Sequence, residues 1–150
     1  MYFHGNAEDL GLIYRDLDIL KKSLKINVLA MEYPGYGVYR DNDGCSADKI
    51  REDSDYVYRY VLQETGLNES DIVIFGRSIG SGAATYVAAN HKPGVLILMS
   101  AYTSIKDVAC SKIRVIGNLM ASHFENLKLI PRVECSTFFI HGKADDLIPY

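Results

Sequence analysis

Apolar residues along the chain follow two patterns that alternate. In the first pattern they recur every three or four residues, which predicts helices with one apolar face. This pattern covers four segments: Glu8 to Leu24, Ser46 to Gly66, Ile79 to about Asn90, and Ile105 to about Met120. Ser46 is suited to cap the second of these helices, and Gly66 is suited to end it.

In the second pattern apolar residues form short, uninterrupted runs that predict buried strands. Five such runs are present: Tyr2 to Phe3 (cut short), Ile26 to Glu32, Asp71 to Phe75, Val95 to Ser100, and Ser136 to Ile140. Strands without polar alternation are typical of parallel sheets that are covered on both faces. The predicted fold class is therefore α/β, a mostly parallel sheet with helices on both faces. No linker or repeat divides residues 1–150, so we expect one domain.

Composition and charge exclude several classes of protein. The 150 residues have a formal charge of −3, with 48% hydrophobic and 23% charged residues, which is ordinary for a globular protein. Lysine and arginine are scattered, without the basic stripe typical of nucleic-acid binders. The longest apolar run, Val95 to Met99, is much shorter than the roughly 20 residues of a membrane span. We expect no nucleic-acid partner and no membrane span.

The three cysteines do not indicate a metal or redox site. Cys45, Cys110 and Cys135 are far apart in the sequence, so the chain has no C-x-x-C motif. We expect thiols in a reducing compartment, and hence a cytoplasmic location. No cofactor and no metal is implied by the sequence.

Both ends of the sequence suggest a fragment. Tyr2-Phe3 has the character of the tail of a strand whose beginning is missing, and the sequence stops at Tyr150, just after a loop. We expect the chain to be truncated at both ends.

A candidate nucleophile directly follows the third predicted strand. Gly76-Arg77-Ser78-Ile79-Gly80 matches the nucleophile-elbow pattern G-x-S-x-G, in which a serine on a tight strand-to-helix turn needs small neighbours two positions away. The start of the helix would place the Ile79 N–H near Ser78 as one oxyanion donor. The same pattern fits a glycine-rich turn that only packs a helix on a sheet. The phosphate-binding patterns G-x-G-x-x-G and G-x-x-x-x-G-K-S/T are absent here.

Two further segments follow strand ends, where ligands bind in parallel α/β sheets. After the first strand, Asn6 could donate a second oxyanion hydrogen bond or cap the first helix. After the last strand, Asp145 or its neighbour Asp146 could orient a histidine for the serine. Both aspartates also fit a solvated acidic turn.

None of the four histidines follows Asp145 in the sequence. His4 and His141 each precede a glycine at a strand end and are expected to serve loop structure. His91 is expected to be an exposed residue at the end of the third helix, and His123 a surface residue. In the triad order serine, acid, histidine, none of the four can be the base.

With these motifs in this order, the chain resembles the α/β-hydrolases. It resembles most closely the small serine hydrolases of the α/β-hydrolase domain-containing group, which includes the protein depalmitoylases of the type 17 branch and is also grouped with serine aminopeptidase S33-like domains. The resemblance spans essentially the whole chain. It rests on four segments: His4 to Gly11, Glu32 to Gly37, Phe75 to Gly82, and His141 to Asp145 with Leu147 to Pro149.

The resemblance implies a role for each site residue. Ser78 would be the nucleophile, Asp145 the acid, and Asn6 and Ile79 the donors of the oxyanion N–H groups. The α/β-hydrolase fold would be incomplete, without its first strands and without the last strand and helix, where the family has its histidine. The palmitoylated, cysteine-rich N-terminus of the depalmitoylases is not in this sequence, and peripheral membrane binding of a full-length protein stays open.

Two functional hypotheses follow. The first is a serine hydrolase that cleaves carboxylic esters or thioesters, of small molecules or acylated proteins, through an acyl-enzyme on Ser78. The second is a non-catalytic α/β-hydrolase-fold binding protein, or an inactive fragment. Because no histidine follows Asp145, we expect this chain alone to be inactive. The segment from Tyr102 to Val133 would build a lid or an acyl pocket, or pack against the sheet.

Overall fold

The computed structural model describes residues 1–40, 44–102, 126–146, 148 and 150, which form a parallel sheet with helices packed on it. Neighbouring strands are parallel throughout, in the order β1-β2-β3-β4. The strands are β1 (Tyr2–Phe3), β2 (Val73–Arg77), β3 (Val95–Met99) and β4 (Ser136–Ile140). The predicted α/β class with a parallel sheet is confirmed.

The helices of the described residues lie between the strands along the chain. They are α1 (Leu10–Leu24), α2 (Ala47–Thr65), α3 (Gly80–Asn90) and the short α4 (Asn126–Leu129). Two short 3-10 turns, Glu69–Asp71 and Ile130–Arg132, precede β2 and β4. The alternation of strand and helix is the one that produces parallel pairing, because each crossover returns the chain to the same end of the sheet.

Side chains mark where α1 begins. The Asp9 carboxylate accepts the N–H of Leu12 at 2.9 Å, so the helix begins at Leu10 and not at Glu8. The interpretation of Asn6 as the cap is therefore wrong. A capping oxygen reaches only the N–H groups two or three residues ahead, and Asp9 has that spacing.

The ends of α2 agree with the prediction. Ser46 accepts the N–H of Lys49 at 3.2 Å and caps the helix. Gly66 ends it with a left-handed φ of 66°, a conformation that glycine adopts without a steric penalty.

The predicted strand from Ile26 to Glu32 is the main departure from the expected sheet. Ala30 makes one isolated parallel bridge with Tyr2, and the carbonyl of Leu29 accepts the Tyr2 N–H at 2.8 Å. The segment therefore lies beside β1, but β1 has only two residues and offers too short a partner for a ladder. In the described residues, five predicted strands become four strands and one bridge.

The strand before the candidate nucleophile lies two residues later than predicted. Asp71 belongs to a 3-10 turn, whereas Arg77 still pairs with Met99 of β3. As a result β2 ends at Arg77, and Ser78 follows it directly with no intervening loop.

Helix α3 covers one face of the sheet and anchors the segment that follows β2. On the strands Ile74, Leu96 and Leu98 are buried, and Ala84 and Val87 of α3 pack in the same core cluster. Removing a large apolar side chain from water contributes about 1.5–3 kcal/mol. This packing holds the first turn of α3 firmly against β2.

The opposite face of the sheet is less covered in the described part of the chain. Val73 is 44% exposed and Phe138 is 60% exposed. Successive side chains of a strand point to opposite faces, so Arg77 lies on the same face of β2 as Val73 and Phe75. Its ion pair with Glu8 places the start of α1 on this side of the sheet. On the predicted apolar face of α1, Ile13 is buried, whereas Tyr14 and Leu24 are exposed.

Some predictions concern residues outside the described ranges. These are the helix from Ile105 to Met120, Cys110, His123 and most of the segment from Tyr102 to Val133. Cys45 and Cys135 form no disulfide within the described residues. The assignment of residues 1–150 to one domain stays a prediction.

Candidate active site

The predicted motifs lie together at one edge of the sheet. His4 follows β1, Ser78 follows β2 and His141 follows β4, and parallel strands end at the same edge. Backbone hydrogen bonds continue the pairing there: the Ser78 N–H donates to the Met99 carbonyl at 2.9 Å, and the Ser100 N–H donates to the Ile140 carbonyl at 2.9 Å.

Ser78 has a backbone conformation that few serines adopt. Its φ of 51° lies in the left-handed region, which costs a residue with a Cβ about 1 kcal/mol or more. The Ser81 N–H donates to the Ser78 carbonyl at 2.9 Å, and the Gly82 N–H donates to the Ile79 carbonyl at 3.0 Å. These bonds turn the chain from β2 into α3 within two residues and leave Ser78 partly exposed at the turn.

The two glycines beside Ser78 are required by close packing. A Cβ on Gly76 would lie 2.5 Å from the Cβ of Ala84, and a Cβ on Gly80 would lie 2.2 Å from the carbonyl oxygen of Phe3. Helix packing alone explains both glycines. It does not explain the left-handed serine between them, which favours the nucleophile-elbow interpretation.

The loop after β1 lies against the candidate nucleophile. A Cβ on Gly5 would lie 3.8 Å from the Cβ of Ser78. The Gly5 N–H donates to the Glu8 carboxylate at 2.7 Å, and Ala7 between them has a left-handed φ of 58°. The Glu8 side chain therefore closes this loop into a tight turn beside Ser78.

The candidate oxyanion donors belong to the two segments that meet here: Asn6 lies in the loop after β1, and Ile79 lies in the turn after β2. Asn6 is exposed in the loop, and its side-chain oxygen accepts a hydrogen bond from the Tyr36 hydroxyl at 2.6 Å. In the described part of the chain, neither the Asn6 N–H nor the Ile79 N–H donates to another protein group. Asn6 is an exposed residue whereas Ile79 is buried, and the Asn6 side-chain oxygen is engaged by Tyr36.

The largely buried side chains of His4 and Glu32 hold the loop after β1 in place. The His4 ring is fully buried, with Nδ1 2.9 Å from the Gly5 carbonyl and Nε2 2.9 Å from Glu32 Oε1. The second oxygen of Glu32 accepts the Leu10 N–H at 3.1 Å. Glu32 therefore ties the end of β1 to the start of α1, and His4 has the structural role expected for it.

Two tyrosines of the turn from Tyr33 to Gly37 hold the same loop. The Tyr33 hydroxyl donates to the His4 carbonyl at 2.9 Å, and burial raises the pKa of this phenol well above its usual value. Burial first, and then Cys45 and Glu32, raise the pKa of Tyr36 to about 12. Both hydroxyls are therefore protonated donors at neutral pH, and the turn borders the site through Tyr36.

The turn after β4 distinguishes the two candidate acids. Asp145 is partly buried, and its Oδ1 accepts the Ile148 N–H at 2.9 Å. Its Oδ2 lies 3.7 Å from Nε2 of His141, a ring nitrogen that is also 2.6 Å from the Ile148 carbonyl. Asp146 is exposed. The fold thus positions one carboxylate and leaves its neighbour in solvent.

The prediction that His91 is exposed is wrong. Its side chain is only 16% exposed, its Nε2 lies 2.6 Å from Asp55 Oδ1, and its ring packs on Tyr58 with centroids 4.5 Å apart. These partners belong to α2, which the spacing within α3 cannot reveal. At about 1.5 Å per residue, the length of α3 separates His91 from Ser78 by about 16 Å.

Sequence reasoning missed the charged residues that hold the site together. Glu32 binds His4, and Glu8 forms an ion pair with Arg77, the residue before the candidate nucleophile. Their place in the sequence could have pointed to these charged residues, because all of them lie inside or next to the motifs described above. Which charges meet depends on the folded chain.

The described residues show no site for a metal ion and no membrane span. No three histidine, cysteine, aspartate or glutamate side chains within them are placed to hold a metal. No helix in the same ranges is long and apolar enough to cross a bilayer.

Comparison with known proteins extends these observations. No protein-family model matches the chain. It is 30% identical over its whole length to the Caenorhabditis elegans alpha/beta hydrolase domain-containing protein aho-3, covering 44% of that protein. It is 30% identical over 99% of its length to a putative alpha/beta hydrolase of Acanthamoeba polyphaga mimivirus, covering 55% of it.

A vertebrate protein is similar to the chain over a comparable range. Alpha/beta hydrolase domain-containing protein 17B of Xenopus laevis is 27% identical over the whole chain, which covers 51% of that protein. The chain thus spans about half the length of the curated relatives it matches. Whole-chain similarity to several proteins of this name agrees with the parallel sheet and with the serine turn after β2. The predicted resemblance to the α/β-hydrolase family is therefore confirmed over the whole chain.

Proposed function

We propose that this chain carries the nucleophile of a serine hydrolase that cleaves carboxylic ester or thioester bonds. The observation that carries the proposal is the left-handed Ser78, with φ of 51°, between β2 and α3. Backbone strain persists only where the surrounding structure enforces it, and it clusters at functional sites. The names of the relatives support hydrolase chemistry, and the ester or thioester preference is our inference from the resemblance.

The proposed reaction proceeds through an acyl-enzyme. Ser78 Oγ attacks the substrate carbonyl carbon while a histidine takes its proton, and the N–H groups of Asn6 and Ile79 stabilise the oxyanion. The bond to the leaving alcohol or thiol then breaks, and the histidine returns the proton to that group. Water hydrolyses the acyl-Ser78 ester and regenerates the serine. Asp145 orients the histidine.

None of the described histidines is placed to be this base. The two ring nitrogens of the buried His4 face the Gly5 carbonyl and the Glu32 carboxylate, and His91 lies at the far end of α3. His141 Nε2 is held by the Ile148 carbonyl. We therefore expect the base after the acid in chain order, and the experiments below use the polypeptide as its own cells make it.

An active-site probe tests the nucleophile. A fluorophosphonate transfers its phosphonyl group to an activated serine, so the Oγ–P bond forms, the P–F bond breaks, and the serine proton and fluoride leave as hydrogen fluoride. We expect mass spectrometry to find the adduct on the peptide of Ser78, and no adduct on Ser81 or Ser100. Labelling of another serine, or no labelling of the native polypeptide, would overturn the proposal and favour a non-catalytic binding protein.

A pair of substitutions tests the acid. We expect Asp145→Asn to lower kcat by about a thousandfold or more, because the base loses its oriented carboxylate partner. Asp146→Asn removes the same charge from an exposed neighbour and should change kcat by less than about threefold. Steady-state hydrolysis of an activated acyl ester measures both. A larger loss at Asp146 would reverse the assignment.

A further inference from the structure

The two proposed oxyanion donors belong to different parts of the chain. The Asn6 N–H lies in the loop after β1, whereas the Ile79 N–H lies at the start of α3. An oxyanion hole works only when both donors lie about 2.7–3.1 Å from the developing charge. Something must therefore set the distance between the loop and the turn.

Glu8 has the contacts for this task. One carboxylate oxygen accepts the Gly5 N–H at 2.7 Å, which closes the loop around Asn6 and holds Ala7 in its left-handed conformation. The other oxygen forms an ion pair with Arg77, whose backbone is bonded directly to Ser78. A single side chain thus connects the two sides of the proposed oxyanion hole.

The surroundings of this ion pair favour a positioning role over a stabilising one. The Arg77 side chain is 45% exposed and that of Glu8 is 20% exposed. Ion pairs with this much solvent access add little to the stability of a fold. They can still select one geometry, and the hydrogen bond to the Gly5 N–H limits the freedom of the Glu8 carboxylate.

We propose that Glu8 and Arg77 are positioning residues that set the separation of the oxyanion donors at Asn6 and Ile79. This inference rests on the proposed function. Neither side chain touches the reacting atoms, so both act through the backbone groups they hold. Their loss should weaken stabilisation of the transition state and leave substrate binding nearly unchanged.

The test compares charge removal with charge retention. We expect Arg77→Gln and Glu8→Gln each to lower kcat for an acyl ester by about ten- to a hundredfold, since small misplacements of catalytic groups have effects of this size. KM should change by less than about twofold. Arg77→Lys keeps the charge and should recover most of kcat. The double variant should lose little more than either single variant, because the two residues act as one unit.

The controls separate the possible outcomes. Asp18→Asn breaks the exposed ion pair with Lys22 on α1 and should leave kcat unchanged. If Ser78→Ala abolishes activity while both glutamine variants keep wild-type kcat, the positioning role is wrong and the proposed function stands. If Ser78→Ala retains activity, the proposed function itself fails. A loss in both kcat and melting temperature that Arg77→Lys does not restore would show a merely structural role.

Discussion

Replacing Ser78 with alanine should lower kcat for ester hydrolysis by about a millionfold. The substitution removes the attacking oxygen, and the loss of the nucleophilic serine costs about that much in subtilisin. A feeble residual rate is expected from the oxyanion donors alone. Steady-state kinetics with an activated acyl ester, on the polypeptide as its own cells make it, measures the effect.

The fold should survive this substitution. Alanine keeps the Cβ of Ser78, so the strain of the left-handed φ is unchanged and the melting temperature should shift little. Ser136→Ala removes an exposed hydroxyl at the start of β4 and should leave kcat within about twofold of wild type. A Ser78→Ala variant that hydrolyses the ester at more than about one per cent of the wild-type rate would refute the nucleophile assignment.

Replacing Gly80 with alanine should destabilise the protein by more than about 3 kcal/mol. The new Cβ would lie 2.2 Å from the carbonyl oxygen of Phe3 and 2.6 Å from its carbonyl carbon, and backbone atoms of a strand cannot move aside as a flexible side chain can. Overpacking of this kind costs about 1–3 kcal/mol even where side chains can adjust. Urea denaturation followed by circular dichroism measures the change in the free energy of unfolding.

Gly142 provides a matched control. A Cβ there would have Asp145 Cβ as its nearest neighbour, at 3.9 Å, so Gly142→Ala should change stability by less than about 0.5 kcal/mol. A soluble Gly142→Ala protein beside an insoluble Gly80→Ala protein would agree with the expectation. Equal stability of the two variants would show that α3 does not approach β1 as closely as the structure indicates.

Local patterns were sufficient wherever the deciding interactions were local. The capping of α2 by Ser46 and its end at Gly66 depend on residues only a few positions apart, and both predictions are confirmed. The parallel sheet was predictable because uninterrupted apolar strands separated by helices leave few other topologies. The strand from Ile26 to Glu32 was predicted wrongly, since its pairing depends on the length of a partner far away in the chain.

The candidate site shows the same division. Its motifs come from order and spacing along the chain, whereas the expected roles of Ser78, Asn6, Ile79 and Asp145 are what the family resemblance implies. These roles stay predictions. The Glu8–Arg77 pair joins residues 69 positions apart, and the His4–Glu32 pair joins residues 28 positions apart. No local spacing predicts which of many charged side chains will meet.

The sequence by itself determined the fold class and carried the family resemblance, because apolar periodicity and a handful of short motifs are properties of neighbouring residues. Only the tertiary structure decided that Ser78 is held in a left-handed turn and that Asp145 is sheltered while Asp146 is exposed. It also decided that the loop after β1 is joined to the turn after β2. Those features arise from contacts between distant segments, which exist only once parallel pairing has brought the ends of the strands together.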